Sequence, residues 1–259
     1  MEIIVLPTAT DTAVVAADII EQLVITRPAP VLGLATGSTP GPLYEELTRR
    51  HKGGLSFAHV RAFMLDEYVG LPAGHPERYA EVIRREVTEP LDIPLEAVQG
   101  PDGSAADLPA ECERYEQAIT DAGGIDVQIA GIGSNGHIAF NEPGSALTSL
   151  TRPKTLNART RHDNARFFAS LDEVPKHVLT QGLGTIGRSR HLLMLASGEG
   201  KADAVAAAVE GPLAAVCPAS IVQTHRHATV LLDEAAASKL ALREYYADVW
   251  ANRPDWQPL

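Results

Sequence analysis

Short apolar runs recur at Ile3 to Leu6, Val31 to Ala35, Val60 to Leu65, Ile125 to Ile132, His191 to Ala196 and Ala228 to Leu232, separated by longer stretches with helical spacing. Such runs have the length of buried strands, and their alternation with helical patterns predicts a parallel sheet. The first helix, expected after Asp11, carries Val15, Ile19 and Leu23 at i, i+4 and i+8, with Ile20 and Val24 widening the stripe that covers one sheet face. The second is expected to begin at Pro40, where a missing N–H costs no intrahelical bond. Right-handed crossovers then give a doubly wound, Rossmann-like α/β fold, mainly parallel, with helices on both faces and ligands beyond the carboxyl ends of the strands.

Residues 145 to 185 break this rhythm with Pro153, Pro175, Gly182, Gly184 and a polar run from Asn157 to Asn164. Irregular segments of this kind serve either as ordinary surface or as a cover over a ligand. There is no internal repeat, and Gly100-Pro-Asp-Gly103 reads as a turn rather than a linker, so residues 1–259 are expected to form one domain.

Composition narrows the partners. A formal net charge of -11, from 22 basic and 33 acidic residues, argues against nucleic acid or an anionic membrane as the main partner. A site for a phosphate must therefore be built locally. Cys112 and Cys217 are too few for a disulfide framework and suit a reducing compartment as small buried residues. The opening run Glu2 to Leu6 has no basic flank or cleavage site, and no apolar stretch nears the roughly 20 residues that span a bilayer. A soluble cytoplasmic protein is the expectation.

The chemistry gathers where apolar runs end. Ala130 to Ser145 passes from a strand through Gly131, Gly133 and Gly136 to His137 and Glu142, a proton carrier and a carboxylate that could orient it. Read blandly, the same residues make a glycine loop with a hydrogen-bonded histidine. Thr36-Gly-Ser-Thr39 joins a strand to the helix expected at Pro40, so its N–H groups and hydroxyls could face a phosphate. Capping by Ser38 or Thr39 is the plainer alternative. Asp66 and Glu67 close the run Phe63-Met-Leu65; adjacent strand residues point to opposite faces, so only one should meet a ligand. Neither a Walker loop nor a three-glycine dinucleotide fingerprint is present, so ATP, NAD and cofactors generally are not expected. His225 and His227 share a face if extended, but no third ligand is evident and no metal is expected.

Leu32-Gly-Leu-Ala-Thr-Gly-Ser-Thr-Pro40, Phe63-Met-Leu-Asp-Glu-Tyr-Val-Gly-Leu71 and the loop from residue 130 to 145 together resemble the glucosamine-6-phosphate deaminases. The likeness continues through Thr151-Arg-Pro-Lys-Thr-Leu156, Asn164-Ala-Arg-Phe-Phe168 and Gly198-Glu-Gly-Lys-Ala202 to Asp233-Glu234, nearly the whole chain. It implies conversion of glucosamine 6-phosphate and water to fructose 6-phosphate and ammonia, in the catabolism of amino sugars such as N-acetylglucosamine. Asp66 is then the base that moves a proton between C2 and C1, and His137, tuned by Glu142, the ring-opening catalyst. Gly37, Ser38, Thr39, Arg166 and Lys201 become phosphate ligands, the guanidinium as a fork and the ammonium as a point charge. Asn135 stands where part of the family has aspartate; an amide positions His137 without a charge that would raise its pKa, so a lower pH optimum is expected.

The resemblance also implies a lid within residues 145–185 and a homo-oligomer, family members occurring as monomers and hexamers. Ser145, Arg152, Lys154 and Thr155 match the allosteric site for N-acetylglucosamine 6-phosphate of some members, although Pro153 departs from the β-branched residue common there; a basic surface strand is the alternative. Two other readings share the fold. A 6-phosphogluconolactonase would lack the Phe-Asn-Glu-Pro continuation from Phe140, and a phosphosugar sensor would have no use for Asp66, His137 and Glu142.

Overall fold

The computed structural model describes residues 1–254, 257 and 259. In chain order its strands are β1 (Glu2–Leu6), β2 (Val31–Leu34), β3 (Arg61–Met64), β4 (Asp66–Tyr68), β5 (Val98–Gln99), β6 (Val127–Gly131), β7 (Arg152–Thr155), β8 (His177–Thr180), β9 (His191–Ala196) and β10 (Ala228–Asp233). The helices are α1 (Ala9–Thr26), α2 (Gly41–Lys52), α3 (Tyr79–Ile83), α4 (Leu108–Asp121), α5 (Ala158–Asn164), α6 (Leu183–Ile186), α7 (Ala202–Val209) and α8 (Arg243–Ala251). Among the described residues a seven-stranded sheet runs β1-β10-β9-β6-β2-β3-β5, every pairing parallel. All six apolar runs are strands within it, as the alternation predicts. The two-residue β5 is too short to leave a periodic signal.

The side-chain period of two divides the core. On β2 and β3, Val31 and Phe63 join Tyr115 and Ile119 of α4 in one cluster, whereas Leu32, Leu34, Ala62 and Met64 face the larger one on the other side. Helix α1 starts earlier than expected. Thr8 caps it, and Asp11 lies inside its first turn, closing a capping box in which each side chain accepts the other's backbone N–H at 3.0–3.2 Å. Its buried face runs through Ala13, Ala16, Ala17, Ile20 and Val24; Val15 and Leu23 sit at its margin, because alanines permit closer approach to the sheet than the larger residues would. Helix α2 begins at Gly41, one residue after Pro40, with Pro42 in its first turn.

A second sheet was not expected. Strands β4, β8 and β7 pair antiparallel in that order, so the segment from residue 145 to 185 holds regular structure where the pattern showed none. Arg-Pro-Lys-Thr on β7 lacks alternating apolar residues and tolerates Pro153 because it is an edge strand. Cys112 and Cys217 are both buried and free. No described helix is long and apolar enough to cross a membrane.

At the amino ends of β9 and β10, His191 stacks on His227 with ring centroids 3.8 Å apart and has Nε2 2.8 Å from the Thr229 hydroxyl. His225 donates from Nε2 to the Ser189 carbonyl at 2.9 Å and accepts the His227 N–H on Nδ1 at 3.1 Å. His191 and His225 are buried and His227 partly so. Burial, with His227 and His225 adding to it, pushes His191 from 6.5 down to about 3. The folded chain therefore stays unprotonated at His191 where the unfolded chain takes up a proton, and stability present above pH 6.5 is lost as the pH falls toward 3. His191→Gln, which can still bond Thr229, is expected to lose about 2 kcal/mol less stability than wild type between pH 7 and pH 5. Urea unfolding at the two pH values checks this; equal losses in both proteins would remove His191 as the cause.

Candidate active site

The strand order places the site. From β2 the chain steps outward through β3 and β5, and from β6 it steps the other way through β9 and β10, so the order reverses between β2 and β6. A crevice opens beyond the carboxyl ends at such a reversal. The adjacent strands β9, β6, β2 and β3 deliver to it, in turn, Lys201, the His137 loop, the Thr36–Thr39 loop and Asp66. At the reversal itself, a Cβ on Gly131 at the end of β6 would lie 3.4 Å from the Thr39 side chain.

Asp66 and Glu67 divide as adjacent strand residues must. The Glu67 carboxylate is buried and accepts the backbone N–H groups of Tyr68, Tyr79 and Ala80 at 2.8, 2.9 and 3.0 Å, with Arg78 Nε at 3.8 Å. Two of those donors open α3, where the helix favours an anion. Asp66, on the opposite face and 6% exposed, accepts no hydrogen bond from any described residue. Burial, aided by the neighbouring Glu67 charge, holds its carboxyl well above the usual range. A strongly basic, unpartnered carboxylate in a crevice is equipped to take a proton from a ligand.

Glu142 does not orient His137 directly: its Oε2 is 3.9 Å from the ring Nδ1. Asn135 stands between them. Its Nδ2 donates to Glu142 Oε2 at 2.7 Å, which turns its Oδ1 to His137; there Oδ1 accepts from Nδ1 at 2.7 Å and from the His137 N–H at 3.2 Å. Because a carboxylate only accepts, the amide cannot be reversed, and the imidazole must carry its proton on Nδ1. Nε2 is left with the lone pair. Burial lowers the His137 pKa, Glu142 pulls it up, and the Lys201 ammonium presses it down again while Asp163 opposes. The ring lies over Gly133, where a Cβ would come within 2.2 Å of it; that glycine makes room for the histidine rather than for a ligand. Two residues on, Ala139 adopts a left-handed backbone at φ 52°, a local cost of about 1 kcal/mol carried at a functional loop.

In the loop after β2 the Thr36 side chain is hydrogen-bonded to Tyr79. Neither Ser38 nor Thr39 caps α2, whose first residue follows Pro40, and Gly37 at φ 98° has open space around its Cα. Lys201 precedes α7 and is half-buried; burial and the nearby Arg166 guanidinium lower its pKa, with Asp163 opposing. Arg166 sits in a short turn after α5 with its guanidinium 4.7 Å above the Phe167 ring. Two cations held near each other, with the Asp163 carboxylate beside Lys201, could together take an anionic group.

The segment between β7 and β8 reaches back over this crevice. Phe168 packs edge-on against Tyr68 at 5.7 Å and stacks with His75 at 5.9 Å, and Thr160 of α5 donates its hydroxyl to Glu142 Oε1. The sequence does not announce Thr160, which lies 18 positions from its partner in a polar run without periodicity. Tyr79 was also missed: partly buried, its hydroxyl meets that of Tyr68 at 3.4 Å close to Asp66. Its signal is only an aromatic residue in a turn. Ser145, Arg152, Lys154 and Thr155 are not gathered with the other site residues. The last three form β7, which packs on α4, while Ser145 is buried with its hydroxyl unpartnered and its N–H on the Glu142 carbonyl at 3.0 Å.

Residues 8–231 match the family of glucosamine-6-phosphate isomerases and 6-phosphogluconolactonases. The glucosamine-6-phosphate deaminase of Arthrobacter sp. (strain FB24) is 56% identical over 260 residues, covering 100% of both chains. That of Beutenbergia cavernae is 57% identical over 261 residues, again 100% of both. A solved monomeric glucosamine-6-phosphate deaminase superimposes with a TM-score of 0.90 at 42% identity, covering 92% of this chain and 100% of that one. The 6-phosphogluconolactonase from Trypanosoma cruzi, at 23% identity and a TM-score of 0.73 over 93% of this chain and 97% of its own, shares the fold.

The Asn135 geometry fixes a direction for its replacement. Asn135→Asp puts a negative charge 2.7 Å from Nδ1, which favours the imidazolium. Titration of the His137 ring by NMR is expected to give a midpoint below the ordinary histidine value in wild type and a higher one in Asn135→Asp. Superimposable curves would show that the residue at this position does not tune the ring.

Proposed function

The chain belongs to the family of glucosamine-6-phosphate isomerases and 6-phosphogluconolactonases, and from that premise we propose that it is a glucosamine-6-phosphate deaminase acting on the open-chain sugar by proton transfer. The observation that carries this reading is that Asp66 and His137, two groups able to transfer protons, follow β3 and β6 at the reversal of strand order, beside Lys201 and a loop whose Ser38 and Thr39 do not cap α2. A lactone hydrolysis needs no base directed at a carbon acid. An aldose to ketose conversion does.

In the proposed reaction Gly37, Ser38, Thr39, Lys201 and Arg166 hold the phosphate. His137 Nε2 takes the proton of the C1 hydroxyl and returns it to the ring oxygen, opening the pyranose. Asp66 then removes the proton from C2 while the substrate ammonium passes one of its protons to O1, giving an enolamine, and returns its proton to C1 to leave an iminium at C2; its raised basicity suits a weak carbon acid. Water adds to the resulting imine carbon and ammonia leaves, giving fructose 6-phosphate. Every step is a proton transfer or the addition of water. A small phosphosugar is thus the partner, residues 1–259 act as one domain, and the reducing cytoplasm fits two buried free cysteines.

The proposal extends to regulation. An anion such as N-acetylglucosamine 6-phosphate would give the buried Ser145 hydroxyl a partner and neutralise Arg152, whose pKa burial lowers, with Lys154 and Thr155 on the same edge strand. A homo-oligomer would bring a second copy against that edge.

Wild type is expected to release ammonia and fructose 6-phosphate from glucosamine 6-phosphate in equal amounts, and Asp66→Asn to lower kcat by about 10²- to 10⁴-fold. Unchanged turnover in that variant would reject Asp66 as the base, and binding without turnover in wild type would favour a sensor. Addition of N-acetylglucosamine 6-phosphate is expected to lower the substrate concentration at half-saturation; an unaltered curve would leave the enzyme unregulated by it.

A further inference from the structure

Both oxygens of the Glu142 carboxylate are engaged, and by different parts of the chain. Oε2 accepts from Asn135 in its own loop at 2.7 Å, while Oε1 accepts from Thr160, which belongs to α5 in the segment between β7 and β8. Thr160 is 7% exposed and held on both sides: its N–H donates to the Asn157 side chain at 2.9 Å, and its carbonyl accepts from Asn164 Nδ2 at 3.0 Å. Arg161, the next residue, donates to the carbonyls of Leu171 at 2.7 Å and Val174 at 3.2 Å, so α5 and the Arg166 turn are tied into one unit. That unit carries a proposed phosphate ligand at one end and the partner of Glu142 at the other.

We propose that Thr160 is a positioning residue of the deamination reaction, its hydroxyl fixing Glu142 so that the Glu142–Asn135–His137 relay holds the imidazole with its proton on Nδ1 and its lone pair on Nε2. The inference rests on the deaminase reading for its kinetic consequence but not for its structural one. A carboxylate that loses one of two buried donors gains freedom to turn toward water. Asn135 then has no fixed acceptor for Nδ2, its amide is free to reverse, and nothing holds the ring to the Nδ1–H form. Neutral imidazole in water prefers its proton on Nε2, the nitrogen that must be unprotonated to accept from the sugar. The relay thus keeps the ring in the less favoured tautomer, and Thr160 closes its far end from another segment of the chain.

Thr160→Val removes the hydroxyl at nearly constant volume, Thr160→Ala removes it with a smaller side chain, and Thr160→Ser retains it. In the two hydroxyl-free variants kcat for ammonia release is expected to fall about tenfold, a fraction of what a positioned acid-base group contributes, with KM within about twofold. Thr160→Ser is expected to stay within about twofold of wild type in both. Nitrogen-15 shifts of the His137 ring above its pKa supply a readout independent of any substrate. Wild type and Thr160→Ser should show the Nδ1–H tautomer, and the hydroxyl-free variants a population of Nε2–H. The same Nδ1–H signature in all four proteins would overturn the proposal, as would a serine variant that falls as far as valine and alanine. If wild type releases no ammonia, the deaminase reading fails, while the tautomer measurement still decides the role of Thr160.

Discussion

The buried carboxylate of Glu67 is the constraint from which the site geometry follows. A charge with 1% of its surface exposed must be satisfied, and here three backbone N–H groups and a guanidinium surround it. Two of those N–H groups belong to the first residues of α3, so the same bonds satisfy the helix start and fasten β4 beneath it. Strand geometry then leaves Asp66 no choice of face. With Glu67 turned inward, its neighbour must point outward from the same pleat, into the crevice. The break between the two sheets just ahead of Asp66 is held equally firmly. The Met64 carbonyl accepts from the Tyr115 hydroxyl at 2.5 Å and from Gln181 Nε2 at 3.0 Å, and the Leu65 carbonyl from the Gln181 N–H at 2.8 Å. The Asp66 carboxylate, the proposed base, has no hydrogen-bond partner among the described residues and is positioned by the backbone and the bonds of its neighbours.

His137 is positioned by the opposite means, a continuous chain of its own hydrogen bonds. Every link is directional: the carboxylate accepts only, so the amide must present its nitrogen to Glu142 and its oxygen to the ring. An aspartate at position 135 would hold the ring as well but would add charge, favouring the imidazolium at neutral pH. Asparagine transmits orientation and leaves the ring short of charge, and the Lys201 ammonium presses in the same direction. The two proton carriers are therefore biased apart. Asp66 is made more basic by burial and His137 less so by the same cause, because burial disfavours whichever form is charged.

Much of this was legible in the sequence because strand ends are. Every apolar run that stops in glycine or a carboxylate turned out to stop at the carboxyl edge, and the reversal of strand order brought those ends together. The division of Asp66 and Glu67 between two faces also follows from the pleat alone. Other features depend on tertiary partners that leave no local trace. Strand β7 is paired through its backbone, so Arg-Pro-Lys-Thr shows no apolar alternation, and the segment from residue 145 to 185 read as irregular although it contains β7, α5 and β8. Asn135 and Glu142 were both recognisable, but their order in the relay was not, because a spacing of five residues between His137 and Glu142 does not say that an amide stands between them. Thr160 was beyond reach for the same reason, since its partner comes from another loop.

The proposed phosphate site closes the electrostatic account of the whole. A chain of net charge -11 repels anions at long range, so attraction must come from cations placed where solvent screens them least. Lys201 is half-buried, at a cost: burial disfavours its ammonium and the exposed Arg166 guanidinium adds to this, with Asp163 opposing. In the proposed complex a dianion held by both would offset that repulsion. The phosphate is remote from C1 and C2, so this energy does not act on the bonds that change. In the proposed reaction its use would be to hold the sugar against Asp66 and His137, converting binding at one end of the substrate into alignment at the other. Because Arg166 and Thr160 share one segment, the anchor and the relay are parts of a single structural unit.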